Sequence, residues 1–211
     1  ARLGFLPKAE VRKEIIERAI SILSRREKNS LILVGQAGVG KSSIVGGIAL
    51  EMLKEDVALP LRDKKLIALS TSQLVAEASH QGGLPGLLAK IVEEVTQAGN
   101  IVLYIPNTHL LATEKEGGIA NIAGILLPAL QNNSFQLIGT SNPEEYRAFI
   151  ESNEALAAVL ERVEVEELNP EDAIFVLTYL SSLIEKRQGV LITLEAIKKA
   201  VELSMKFIHD R

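Results

Sequence analysis

One short run limits what this chain can fold into more than any other: Gly35-Gln36-Ala37-Gly38-Val39-Gly40-Lys41-Ser42. It fits the pattern G-x-x-x-x-G-K-[ST] without a gap. It also lies between an apolar stretch, Leu31-Ile32-Leu33-Val34, and a helical one from about Ser42 to Lys54. A buried strand that turns through glycines into a helix leaves backbone N–H groups facing an anion, and the helix start adds partial positive charge. Lys41 reaches the terminal phosphates of a nucleotide, Ser42 offers a hydroxyl to Mg²⁺, and Ser43 extends the contact set. A glycine-rich turn without a ligand is the plain alternative, and the order of strand, loop and helix argues against it.

The rest of the chain repeats that order. Val11, Ile15, Ile16, Ala19, Ile20 and Leu23 recur at helical spacing, and strand-like runs follow at Leu66–Leu69, Ile101–Ile105 and Phe135–Ile138, with a last short one at Val163–Val165. Strands alternating with helices predict a parallel α/β sheet. At Asn169-Pro170-Glu171-Asp172 the asparagine caps a new helix whose first position is proline, and from there the strands stop. Two helical patterns broken at Gly189 then predict a small helical unit.

Composition removes several classes of function. With no cysteine there is no disulfide, thiolate metal site or cysteine nucleophile, and with three histidines a transition-metal centre is disfavoured. The 23 basic and 27 acidic residues leave a net charge of −4, which gives no general attraction to nucleic acid or to an anionic membrane. The absence of cysteine also fits a reducing, cytoplasmic setting, and no apolar run reaches a membrane span, nor does the start of the chain carry a signal-like stretch. Its non-Met start suggests an excised piece. The sequon at Asn132 reads as chance.

Hydrolysis needs more than a phosphate cradle. A P-loop ATPase also places a carboxylate at the end of a buried strand to hold Mg²⁺, and a second one polarises the attacking water. The strand suited to this is Ile101–Ile105, and it ends in Pro106-Asn107, neither of which is charged. An asparagine amide cannot take a proton from water. Glu114 and Glu116 are the nearest acids in sequence, but they sit in a charged, glycine-ended stretch that reads as a solvated loop.

Ile22-Leu23-Ser24-Arg25-Arg26, the phosphate loop, Ile101 to His109 and Ile138 to Arg147 together resemble the first ATPase ring of the Clp/Hsp100 unfoldases. These are the ClpA, ClpB and ClpC branch of the AAA+ proteins, and the likeness runs from about Leu3 to Arg211. The resemblance implies a three-layer α/β unit with a five-stranded parallel sheet over residues 1–168, followed by the start of a helical small domain over 169–211. It also implies hexameric rings that thread protein substrates through a pore, with a peptidase as a candidate partner. Against the family pattern, Pro106 and Asn107 stand where an Asp-Glu pair is found, and Ala158 and Val159 occupy the arginine-finger positions. Such a finger is worth about 10³-fold or more in rate. Arg162 lies three residues out of register and reads as a surface residue. Ser141 and Asn142 fall at the first sensor, where a helix-capping role is an equal alternative. His80 falls at the pore-loop aromatic, where a solvated loop histidine is an equal alternative, and His109 reads as structural. Leu3-Gly4 corresponds to the apolar adenine contact.

These readings favour a nucleotide-binding domain that holds ATP or ADP, with Mg²⁺ weakly held, and turns it over slowly or not at all in a structural or regulatory role. An active ATPase with an acid recruited from elsewhere and a nucleotide-free scaffold are the competitors. A guanine-reading Asn-Lys-x-Asp segment is absent from the sequence.

Overall fold

The computed structural model describes residues 10–78, 83–108 and 118–208. Its centre is one five-stranded sheet: β1 (Ser30–Val34), β2 (Lys65–Ala68), β3 (Ile101–Ile105), β4 (Gln136–Ser141) and β5 (Leu160–Glu164). Their spatial order is β2-β3-β4-β1-β5 and every pairing is parallel. The helices are α1 (Lys13–Leu23), α2 (Lys41–Glu51), α3 (Thr71–Ala78), α4 (Leu84–Ala98), α5 (Gly118–Gln131), α6 (Pro143–Tyr146), α7 (Glu154–Val159), α8 (Pro170–Gln188) and α9 (Leu194–Phe207).

Side-chain alternation explains the layers. In β1 all five residues are buried, so each face must find its own helices. Leu31 and Leu33 pack with Ile16, Ala19 and Ile22 of α1 and with Ile44 and Ile48 of α2. Ile32 and Val34 face the other way, onto Leu88 of α4, Leu126 and Leu130 of α5, and Leu156 of α7. The result is the expected three-layer α/β arrangement with a parallel sheet. Each fully buried leucine or isoleucine contributes about 1.5–3 kcal/mol, so the central strand anchors both layers.

Two strands depart by more than one residue from the sequence reading. β4 runs three residues past Ile138, because Thr140 and Ser141 pair with Leu33 and Val34 of β1. Polar side chains there do not end a strand whose backbone bonds are satisfied on the sheet interior. β5 starts at Leu160, because an edge strand has one sheet neighbour and tolerates the half-buried Glu161 and Arg162 between Leu160 and Val163, which pack on opposite faces of the sheet.

The helical tail follows the sequence closely. Asn169 Oδ1 accepts a hydrogen bond from Asp172 N at 2.8 Å, Pro170 opens α8, and Gly189 closes it in the left-handed region at φ +67°. Thr193 then caps α9, its Oγ1 accepting from Ala196 N at 3.2 Å.

Candidate nucleotide-binding site

The phosphate loop leaves the carboxyl end of β1 between two neighbours. Gly35 N donates to Ser141 O of β4 at 3.2 Å, and Val165 N, just past β5, donates to Val34 O at 2.8 Å. A side chain at Gly35 would bring its Cβ to 2.4 Å from the Val165 carbonyl oxygen, so this glycine is demanded by backbone packing as well as by any ligand. Gly40 adopts φ +103°, a conformation closed to L side chains, and forms the N-cap of α2 without a side-chain cap. The first N–H groups of α2 are therefore not covered by a capping side chain, which is the condition for anion binding at a helix start.

Lys41 folds back over the loop, its Nζ donating to Gly35 O at 2.6 Å and Gln36 O at 2.9 Å. Burial pulls its pKa below the ordinary lysine value, and the negative charge of Glu145 offsets part of that. Ser42 is exposed at the first turn of α2 and Ser43 is half-buried behind it. Gln36, Ala37 and Gly38 are exposed on the rim, with Val39 half-buried beneath. This cradle fits a phosphate chain. For Mg²⁺ the residues offer the Ser42 hydroxyl, and among the described residues no group of three or more His, Asp or Glu is arranged to hold a metal.

Three strand ends bear on the chemistry. After β3, Pro106 and Asn107 form a tight turn in which Asn107 takes φ +48°, its N–H donates to Thr140 Oγ1 at 2.9 Å, and its side chain is exposed. Thr108 locks the turn by donating from Oγ1 to Ile105 O at 3.0 Å. After β4 the two sensor candidates separate. Asn142 Oδ1 accepts from Glu145 N at 2.8 Å and caps α6, whereas Ser141 is fully buried and its Oγ has no hydrogen-bond partner among the described residues. Before β5, Ala158 is exposed and Val159 packs against the core. Arg162, read as a surface residue, is half-buried and partnered. Its guanidinium carbon lies 4.9 Å from the centre of the Tyr146 ring, and Nη2 donates to Glu164 Oε1 at 2.6 Å.

Beside the loop lies a cavity of about 420 Å³. Ala37, Gly38 and Val39 wall one side, and Ala173 and Leu177 of α8 with Val201 and Met205 of α9 wall the other. Its volume falls within the roughly 300–1,000 Å³ of small-molecule sites, and its apolar helix wall suits an aromatic base. His80, His109, Glu114, Glu116 and Leu3-Gly4 lie outside the described residues.

Two residues that the sequence did not single out belong to this region. Glu145 was legible only as an acid in the first turn of a short helix, and Arg12 only as one of the charged residues on the polar face of the first helix. Their proximity to the loop is made by tertiary structure.

A family model described as "ATPase family associated with various cellular activities (AAA)" matches residues 31–178. The chain belongs to this AAA family. The match begins in β1 and ends within α8, so it takes in the sheet, the loop and the start of the helical tail. The AAA chain is 39% identical over 202 residues to the chaperone protein ClpB of Oceanobacillus iheyensis, across 95% of this chain and 25% of that protein. It is 37% identical to the negative regulator of genetic competence ClpC/MecB of Bacillus subtilis, with the same coverage of each. Among solved structures, an S. cerevisiae Hsp104–ADP complex superposes with a TM-score of 0.85 at 30% identity, over 95% of this chain and 34% of that one. The AAA chain thus spans about a quarter of the length of the curated relatives it matches.

Proposed function

We propose that this chain is a nucleotide-binding AAA+ unit of a Clp/Hsp100-type chaperone or unfoldase, which holds ATP or ADP through residues 35–43 and hydrolyses it slowly or not at all. The observation that carries the reading is the pairing of a complete phosphate cradle with a β3 end that presents no carboxylate. In this reading the backbone N–H groups of the loop and Lys41 hold the phosphates, and the cavity beside α8 and α9 takes the base. The Ser42 hydroxyl would hold Mg²⁺ weakly, and the ion would screen phosphate charge. Buried Ser141, with an orphaned hydroxyl at the neighbouring strand end, fits a polar contact to the phosphate region. The similarity to an Hsp104–ADP complex supports a nucleotide site, and its likeness to an Hsp104 structure with ATPγS and FITC casein supports protein substrates.

The large α/β unit over 1–168 and the helical unit from 169 would form one protomer of a hexameric ring, in a cytoplasmic protein acting on polypeptides and not on nucleic acid or membrane. Its role there is structural or regulatory, with mechanical work supplied by another ring and a peptidase as a candidate partner. Ala158 and Val159 bring no cation to a neighbouring subunit's nucleotide, which supports slow turnover further. The test is titration calorimetry with ATP and ADP alongside a phosphate-release assay. Micromolar binding with turnover far below roughly 1 s⁻¹ is the expected result, and turnover in the usual enzyme range sinks the slow-hydrolysis reading. Absence of binding at millimolar nucleotide favours the empty scaffold.

A second reading has one observation behind it: the charge of Glu145 acts on Lys41. Glu145 could then stand in for the missing β3 acid. Loss of measurable turnover in Glu145→Gln, with ADP affinity retained, would select this active ATPase.

A further inference from the structure

Arg12 is the N-cap residue of α1, yet its side chain does not cap that helix. It crosses instead to two distant backbone segments. Nη2 donates to Val39 O of the phosphate loop at 3.3 Å and to Glu166 O at 2.5 Å, in the linker between β5 and α8. The cleft beside it also carries Glu164, Glu167 and Asp172. Burial lowers the pKa of the guanidinium, while the charges of Asp172 and Glu166 act against that, so Arg12 stays charged and is held on two backbone carbonyls in an acidic surrounding.

The two carbonyls have consequences beyond their own bonds. The peptide after Val39 is trans, like every other described one, so fixing the Val39 C=O on Arg12 turns the Gly40 N–H to the opposite side. Gly40 is where α2 begins, and its N–H is one of the donors the loop would offer a phosphate. On the other side, Glu166 lies four residues before α8, the helix that walls the cavity opposite Val39.

We propose that Arg12 is a positioning residue that ties the phosphate loop to the linker before α8, so that filling the loop and seating α8 and α9 over the cavity become one event. The proposal rests on the nucleotide reading above for its ligand, while the tie itself concerns the empty protein as well. Arginine suits the task because the two hydrogens of Nη2 are fixed in the guanidinium plane, so one nitrogen meets both acceptors in a set geometry that a freely rotating ammonium does not impose.

The experiment uses the whole chain with Arg12→Met and Arg12→Lys, titrated with ADP and with inorganic pyrophosphate, and reads hydrogen exchange at Ala173 in the first turn of α8. Pyrophosphate has no base, so it touches the loop without reaching the helices. In the unaltered protein it should slow exchange at Ala173 several-fold. In Arg12→Met that slowing should vanish and the affinity for both ligands should fall about tenfold, the loss of hydrogen bonds to a charged group. Arg12→Lys should recover part of the affinity and little of the slowing.

Equal slowing in Arg12→Met and the unaltered protein overturns the tie, as does full recovery of both readouts in Arg12→Lys, which would make the effect one of charge alone. If the unaltered protein binds neither ligand, the nucleotide reading fails, and the tie is judged without ligand. Faster exchange at Ala173 in Arg12→Met than in the unaltered protein then supports it, and unchanged exchange overturns it. A merely structural Arg12 would lower the melting temperature in both variants and leave the pyrophosphate response at Ala173 in place.

Discussion

At Lys41 the ammonium that would meet a phosphate is turned onto the carbonyls of Gly35 and Gln36. Because burial lowers its pKa in the fold, the unfolded chain binds this proton more tightly than the folded one. The charged lysine therefore weakens the empty fold at neutral pH, and that penalty fades as pH climbs toward the ordinary value of 10.5. Lys41→Met should accordingly leave the empty protein no less stable at pH 7, while abolishing the rise in Tm on adding ATP or ADP. Paired thermal melts check both. Ser141 makes the complementary case: its hydroxyl is buried without a partner among the described residues, which costs stability. Ser141→Ala should stabilise the empty protein by about 1 kcal/mol in urea unfolding and shrink the nucleotide-induced gain in Tm, since a phosphate or its water would be the missing partner. Neither effect is visible in the residue letters, because burial and orphaned hydrogen bonds are properties of the packed sheet.

Among the elements, the loop after β1 and the turn after β3 carry opposite constraints. Gly35 is pinned by the Val165 carbonyl, a backbone atom that cannot yield as a side chain would. Gly35→Ala should cost about 2 kcal/mol by equilibrium unfolding, from overpacking between β1 and the end of β5, before any ligand is added. The β3 turn is held at Asn107 in the left-handed region, where asparagine is favoured over glutamate. The double change Pro106→Asp and Asn107→Glu should therefore destabilise the fold by about 1 kcal/mol and give little phosphate release, because Ala158 and Val159 still lack the finger charge. A rate approaching roughly 1 s⁻¹ in that variant would show the β3 end to be the sole defect. The bounds of α8 fall where the sequence puts them. Asn169, Pro170 and Gly189 mark α8 because their conformational preferences are local and do not await the rest of the chain.

For the molecule as a whole, a ligand that binds only the folded state stabilises it by mass action, about 2.7 kcal/mol at a hundredfold excess over Kd. ADP at that excess should raise Tm by several degrees, and the gain should persist without turnover. Sedimentation with and without nucleotide then reports whether the same occupancy draws copies of the chain into a ring. The sequence alone determined the order of strands and helices, the phosphate loop, the uncharged β3 end and the family. Each rests on local periodicity or on contiguous residues, which keep their meaning before folding. Tertiary structure alone decided that Asn142 caps while Ser141 is left buried, that Arg162 lies on Tyr146, and that the charge of Glu145 reaches Lys41. It also brought Arg12 to Glu166, residues 154 apart in the chain. The reason is physical: parallel strands joined by helical crossovers place their carboxyl ends side by side at one edge of the sheet, and contacts made across those ends have no signature in any stretch of neighbouring residues.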